Sequence, residues 1–230
     1  MKYRAVIFDL DGTLLDTLDD LADAANRVLA DAGLPVHPRN AYRYFVGNGL
    51  PMLIRRILPQ DRRGDEEVGR LSLAFREDYG QNWHVKTKLY AGVAAMLTGL
   101  RERGVVLAVL SNKPDDFTRI CVRRFLGGWR FEVVLGQRSG VPKKPDPAGA
   151  LEIAGLLDLP PAEILYLGDS DTDMKTARAA GMFPVGAAWG FRTAEELRAS
   201  GAAELAGRPE ELLGFFRDRD GREVNNGDAE

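Results

Sequence analysis

The sequence predicts an α/β fold, a doubly wound parallel sheet of Rossmann-like type with a small helical subdomain inserted after its first strand. Three features of the pattern predict it. Short apolar runs recur at 5–8, 105–110, 131–135, 164–167 and 183–187; the first, second and fourth are nearly continuous, as strands buried on both faces require. From residue 90 onward, helix patterns alternate with these runs, which is the order of βαβ units. Between residues 16 and 88 the alternation stops, and no strand pattern stands out.

The first run, Ala5 to Phe8, leads directly into Asp9. Residues 17–32 then read as an amphipathic helix, with Leu18, Leu21, Ala25, Val28 and Leu29 on one side. Further helix patterns cover 50–58 and 66–79. A block of this size is a subdomain rather than a loop. A helix over 92–103 carries Val93, Met96, Leu97 and Leu100 and stops at Gly104, a natural terminator. Another over 147–157 follows a Pro-Asp-Pro start. One over 171–180 ends at Gly181. One over 193–199 opens on Thr193 with Glu196 three residues on, a capping-box spacing. The expected organisation is an α/β core over 1–15 and 89–217, a helical cap over 16–88, and a polar, disordered tail over 218–230.

Composition narrows the function. With 45% apolar and 28% charged residues, the chain is of the globular class rather than disordered. A net charge of −3 gives no global basic field for nucleic acid. Cys121 is the only cysteine, so an intrachain disulfide and a cysteine-based zinc site are both excluded. No apolar run approaches the roughly 20 residues of a membrane helix, and no membrane partner is expected. Residues 1–10 turn acidic too early for a signal peptide, which makes the cytoplasm the expected compartment. Oligomeric state stays open between monomer and homodimer. His37 and His84 have no Cys or Ser at a recognisable spacing and are expected on the surface or in loops. Trp83, Trp129 and Trp189 are expected to be packing residues. The chemistry therefore rests on carboxylates.

Open α/β sheets bind ligands beyond the carboxyl ends of their strands. After the first strand comes Asp9-Leu10-Asp11-Gly12-Thr13; after the second, Ser111-Asn112-Lys113; between the third and fourth, Lys143-Lys144-Pro145; after the fourth, Gly168-Asp169-Ser170-Asp171-Thr172-Asp173. Alone, each has a plain structural reading: a turn, a helix cap, a solvated charge pair, acidic residues at a helix start. Their convergence on one sheet edge outweighs those readings. Asp9, Asp11, Asp169 and Asp173 would repel one another unless a hard divalent cation joined them. Mg2+ takes oxygen ligands and keeps a substrate phosphate in its shell. Asp9 can attack phosphorus as a carboxylate, and Asp11 can give and take the proton. The N–H groups of Gly12 and Thr13 are expected to face phosphate oxygens, with Ser111, Asn112 and Lys144 adding hydrogen bonds and positive charge.

Asp9-Leu-Asp-Gly-Thr, Ser111, Lys144 and Gly168-Asp-x-x-x-Asp173 resemble, in order, the four motifs of the haloacid dehalogenase-like (HAD) hydrolase superfamily. The resemblance implies Asp9 as nucleophile and Asp11 as general acid/base. It implies Ser111 and Lys144 as phosphate contacts. Its magnesium ligands are Asp9, the Asp11 carbonyl and Asp169, with Asp173 a ligand or a partner of Lys144. Residues 16–88 resemble the superfamily's small helical cap, and Gly47-Asn48-Gly49 resembles the cap loop of phosphoglycolate phosphatases, where glycine allows close approach to a small substrate. The implied activity is that of a phosphoric monoester hydrolase acting on a small phosphorylated metabolite through an aspartyl-phosphate, with 2-phosphoglycolate first among the candidates. Rivals are a phosphosugar mutase of the beta-phosphoglucomutase type, a pyrophosphatase or nucleotidase, a dehalogenase, against which Asp11 and Asp169 speak, and an inactive phosphate- or partner-binding module.

Overall fold

The computed structural model describes residues 2–216; the tail expected over 218–230 lies outside them. In chain order the elements are β1 (Ala5–Phe8), β2 (Leu15–Asp16), α1 (Leu18–Asp31), α2 (Tyr42–Phe45), α3 (Leu50–Ile57), α4 (Asp65–Asn82), β3 (Lys88–Leu89), α5 (Val93–Glu102), β4 (Val106–Pro114), α6 (Asp115–Phe125), β5 (Val133–Gln137), α7 (Ala148–Leu156), β6 (Ile164–Gly168), α8 (Asp171–Ala179), β7 (Phe183–Ala187), α9 (Ala194–Ala199) and β8 (Glu204–Ala206). A 3-10 segment, Pro209–Phe216, follows.

Six parallel strands lie in the order β5-β4-β1-β6-β7-β8. From β1 the chain winds to one side through β4 and β5, then returns to the other through β6, β7 and β8. The strand order reverses between β1 and β6, which is where an open sheet leaves a crevice. Side-chain alternation on β1 divides the core. Val6 and Phe8 join one cluster with Val93, Met96 and Leu97 of α5 and Cys121 of α6. Ala5 and Ile7 join another with Ala150 and Ile153 of α7 and Ala177 of α8. The sheet is thus covered on both faces, which explains why its strands read as continuous apolar runs.

The helices α1 to α4 bury a third cluster of their own, including Leu21, Leu29, Tyr42, Ile54, Leu71 and Phe75. Two short strands, β2 and β3, pair antiparallel where the chain leaves and re-enters the sheet domain. They correct the expectation of no strand over 16–88, since two residues per strand are too few to show a period. Another correction concerns β4, which continues through Ser111, Asn112 and Lys113 to Pro114, with a register irregularity against β5 after Leu110. Ser111 and Asn112 therefore cap no helix; α6 starts at Asp115 behind Pro114. The three-residue β8 gave no pattern in the sequence either. Thr193 and Glu196 form the capping box their spacing suggested.

Candidate active site

The polar ends of β1, β4 and β6 meet in the crevice. Asp9, Lys144, Asp169 and Asp173 are all buried there. Lys144 Nζ lies 2.9 Å from Asp9 Oδ1, 2.7 Å from Asp173 Oδ1 and 3.0 Å from the Leu110 carbonyl. An ammonium has three protons, and this one has three acceptors. Asp173 stands at the first turn of α8, where Ser170 and Asp173 form a reciprocal capping box. Its Oδ2 accepts from the Ser170 hydroxyl at 2.5 Å and the Ser170 N–H at 3.1 Å. Both oxygens of Asp173 are thus engaged, which suits a partner of Lys144 better than a direct metal ligand.

Asp169 is held from two sides. Its Oδ1 accepts from the Thr13 hydroxyl at 3.1 Å and its Oδ2 from the Phe191 N–H at 2.7 Å. Gly12 sits against it with φ +90°, and any Cβ at Gly12 would overlap the Asp169 carboxylate. A side chain is therefore excluded twice, by backbone conformation and by space.

Electrostatics here are unbalanced. Burial first, and then the Asp173 charge, push the Asp9 carboxyl well above its usual range, against the opposing pull of Lys144. Burial and Asp173 push Asp169 up to about 7. Burial works against the Lys144 cation, but Asp173 and Asp9 outweigh it and hold the ammonium above its usual range. One lysine cannot compensate three carboxylates. Asp9 and Asp169 bring carboxylate oxygens within 4.8 Å of each other and of Asp173, and oxygen donors alone fit a hard divalent cation.

Asp11 lies on the turn after β1, half-buried, with both carboxylate oxygens 3.0 Å from Lys113 Nζ. Ser111 is buried and lines the same cleft, its Oγ accepting from the Lys113 N–H at 3.2 Å. The expected role of the Gly12 and Thr13 N–H groups needs correction. Gly12 N–H donates to Leu15 O at 2.8 Å and Thr13 N–H to Leu10 O at 3.4 Å, because the turn closes on itself. Asn112 also departs from expectation. Its Oδ1 accepts from the Lys144 N–H at 2.9 Å, and its Nδ2 donates to Lys144 O and to Gly47 O, each at 3.0 Å. The side chain proposed for phosphate instead joins the Lys144 loop to the cap.

The cap loop reaches the core at several points. Asn48 Nδ2 donates to Thr172 Oγ1 at 3.1 Å, and Lys143 Nζ donates to Asn48 O at 2.7 Å. Gly47 and Gly49 adopt φ +107° and +83°, which this sharp loop requires. Arg43 donates to Gly190 O at 2.8 Å, and Arg192 donates to Arg43 O. The cleft between cap and core encloses about 690 Å³ including its mouth. Leu21, Val46, Leu50, Leu53 and Phe75 from the cap side face Phe117 and Phe191 across it.

Three contributors escaped sequence reasoning. Lys113 carried no assigned role. Trp189, expected only to pack, donates its Nε1–H to Thr13 O at 2.9 Å and so supports the turn after β1. Tyr79, on α4, bonds Lys113 Nζ through its hydroxyl at 2.9 Å. None had a local signal, since each partner is distant in sequence. His37 stays within the cap, with Nε2 2.7 Å from Ile57 O, and His84 is exposed.

Comparison with known proteins agrees with this geometry. The family model described as haloacid dehalogenase-like hydrolase matches residues 6–187. A phosphoglycolate phosphatase of Pseudomonas putida is 37% identical over 191 residues, covering 82% of this chain and 70% of the relative. One of Haemophilus influenzae is 35% identical over 196 residues, covering 83% and 88%. The crystal structure of a predicted phosphoglycolate phosphatase from Haemophilus somnus superposes with a TM-score of 0.87 at 30% identity, covering 94% of this chain and 99% of the other.

Proposed function

The chain belongs to the haloacid dehalogenase-like hydrolase family and is a phosphatase, and from that premise we propose that it hydrolyses 2-phosphoglycolate with magnesium through an aspartyl-phosphate on Asp9. The observation that carries the mechanism is the ring of Asp9, Lys144, Asp173 and Asp169 at the strand ends, with Lys144 2.9 Å from Asp9. A carboxylate held beside a fully hydrogen-bonded ammonium is oriented for attack and shielded from phosphate repulsion.

An Asp9 oxygen forms the new bond to phosphorus as the bond to the ester oxygen breaks. Asp11 gives its proton to the departing alkoxide, which leaves as the alcohol. Asp11 then takes a proton from water as the water oxygen attacks phosphorus. The Asp9–phosphorus bond breaks, and phosphate and the Asp9 carboxylate are restored. Lys144 and the Ser111 hydroxyl hold the transferred group. Mg2+ held by Asp9, Asp169 and the Asp11 carbonyl would supply the positive charge that keeps Asp9 ionised beside a phosphate. Asp173 orients Lys144. The cap, its loop seated through Gly47 and Asn48, limits water at the site until the alcohol has left.

The names of the relatives support 2-phosphoglycolate as substrate. The apolar wall from Val46 to Phe75 favours a second reading, in which the same chemistry serves a phosphate ester of a larger, less polar alcohol, because a second carboxylate gains little from such a wall. A small phosphorylated metabolite is the partner in either case. Among the described residues no helix is long and apolar enough to cross a membrane. The single, buried cysteine suits the cytoplasm. The deciding experiment is kcat/KM across a panel of phosphate esters with and without Mg2+. Highest efficiency on 2-phosphoglycolate supports the first reading, and preference for bulkier apolar esters supports the second. Activity unaffected by exhaustive chelation removes the metal from both.

A further inference from the structure

Lys113 is buried, yet it contacts none of the groups assigned to phosphate or metal through its ammonium. Its three protons have three acceptors: Asp11 Oδ1 and Oδ2, each at 3.0 Å, and the Tyr79 hydroxyl at 2.9 Å. The ammonium also lies 4.9 Å from the centre of the Tyr79 ring. Lys113 belongs to the core, at the end of β4, whereas Tyr79 belongs to the cap helix α4. The Tyr79 ring is itself fixed between Phe75 of the cap, stacked at 5.3 Å, and Phe117 of the core, at 5.4 Å.

We propose that Lys113 is the positioning residue for the Asp11 carboxylate and that its bond to Tyr79 makes this positioning depend on a seated cap. The inference rests on the phosphatase reading of Asp11. Two contacts from one ammonium to both oxygens fix the rotation of the ionised carboxylate; when Asp11 takes up its proton, the protonated oxygen gives up its contact and faces the leaving group, while the other oxygen keeps its bond to Lys113. A buried lysine needs all its partners. When the cap lifts, the Tyr79 hydroxyl departs with α4, Lys113 loses one acceptor, and its hold on Asp11 loosens. The acid/base is then fully aligned only over an enclosed substrate. Lys113 thus carries the state of the cap to the chemistry, with no atom of its own on the reacting phosphate.

Leaving-group dependence separates this role from a structural or phosphate-binding one. A nitrophenolate leaves without needing a proton; an alkoxide does not. Single-turnover release of alcohol is measured with saturating Mg2+ for a nitrophenyl phosphate and an alkyl phosphate. The unsubstituted enzyme is compared with Lys113→Met and with Tyr79→Phe, which removes one oxygen and keeps the ring. Lys113→Met is expected to slow the alkyl ester by about 100-fold and the nitrophenyl ester by less than about 5-fold, within the range of general-acid effects. Tyr79→Phe is expected to show the same selectivity at about 10-fold on the alkyl ester, with KM changed little. Lys113→Arg, which retains the charge, is expected to recover part of the alkyl rate. Equal slowing of both esters, or a loss confined to KM, overturns the proposal. An unchanged alkyl-to-aryl ratio in Tyr79→Phe overturns the link to the cap, and it decides that link even if Lys113→Met fails to fold. Absence of turnover of either ester by the unsubstituted enzyme with saturating Mg2+ overturns the phosphatase reading, and the role of Asp11 with it.

Discussion

The two sides of the crevice are held by different chemistry. On the core side, Lys144 joins Asp9 to Asp173 through charged groups that are almost wholly buried. On the cap side, the acceptors are chiefly main-chain carbonyls: Gly47 O for Asn112, Asn48 O for Lys143, Arg43 O for Arg192. Removing one charged side chain from a buried set strands its partners and is costly. A carbonyl is present whatever the residue, so the cap can change its side chains and still dock. The core set is therefore intolerant of single changes, while the cap wall, built from residues such as Val46, Leu53 and Phe75, does not depend on that charge network.

The core side breaks most severely at Asp9. Asp9→Asn keeps the shape and removes the proposed nucleophile, so kcat is expected to fall by on the order of 10⁴-fold or more with the fold retained, read as phosphate release alongside far-UV circular dichroism. Next comes Lys144→Met, which leaves Asp9 and Asp173 without their counter-charge. A loss of about 3–5 kcal/mol of stability is expected in chelator, read from urea midpoints. A loss under about 1 kcal/mol would mean that the buried charges are compensated by something other than Lys144.

Metal removal sharpens the same contrast through pH. In the metal-free protein, Asp9 and Asp169 hold their protons more tightly folded than unfolded. Between about pH 4, where an unfolded aspartate titrates, and about 7 for Asp169, the folded state binds more protons. Stability therefore falls as pH rises through that window, by on the order of 2–4 kcal/mol. Surface carboxylates held low by arginine, such as Asp19 and Glu152, are largely ionised in both states above pH 5 and do not mask the trend. Urea midpoints in chelator should drop from pH 5 to pH 8. Mg2+, the cation proposed for this site, should restore them most at pH 8, since a hard cation takes the deprotonated carboxylates. A midpoint that rises with pH in chelator contradicts the unbalanced-charge account.

The contrast also explains what could be read in advance. The juxtaposition of Asp9 and Asp169 was legible because strand ends are marked by apolar runs, and their motifs follow those runs directly; Lys144, in the loop between β5 and α7, was legible only by its order among the motifs. The parallel sheet and most helices were legible for the same reason, as periodicity is a local signal. The N–H groups of Gly12 and Thr13 were not, because turn closure onto Leu10 and Leu15 depends on backbone detail. Asn112 was read as a phosphate contact because its tie to Gly47 spans 65 residues and leaves no pattern. Lys113 was passed over for the same reason, with Tyr79 34 residues away. Cap-to-core contacts are long-range by construction, so the cap-facing half of the site is the half the sequence shows least.

Asn48 offers the smallest break and the finest test of the contrast. Its side chain donates to Thr172 and accepts from Arg56 at 2.7 Å, while its carbonyl holds Lys143. Asn48→Ala removes the first two contacts and keeps the third. Arg56 still bonds Tyr44 O and Phe45 O, so the loop retains its shape. The loss should be about 1 kcal/mol of cap docking, seen as a roughly five-fold rise in KM with kcat within about two-fold. Asn112→Ala is the control, because it cuts the cap contact and also frees the backbone of Lys144. It should lower kcat as well as raise KM. If Asn48→Ala lowers kcat as much as Asn112→Ala does, cap docking and core chemistry are not separable, and the division drawn at the crevice fails.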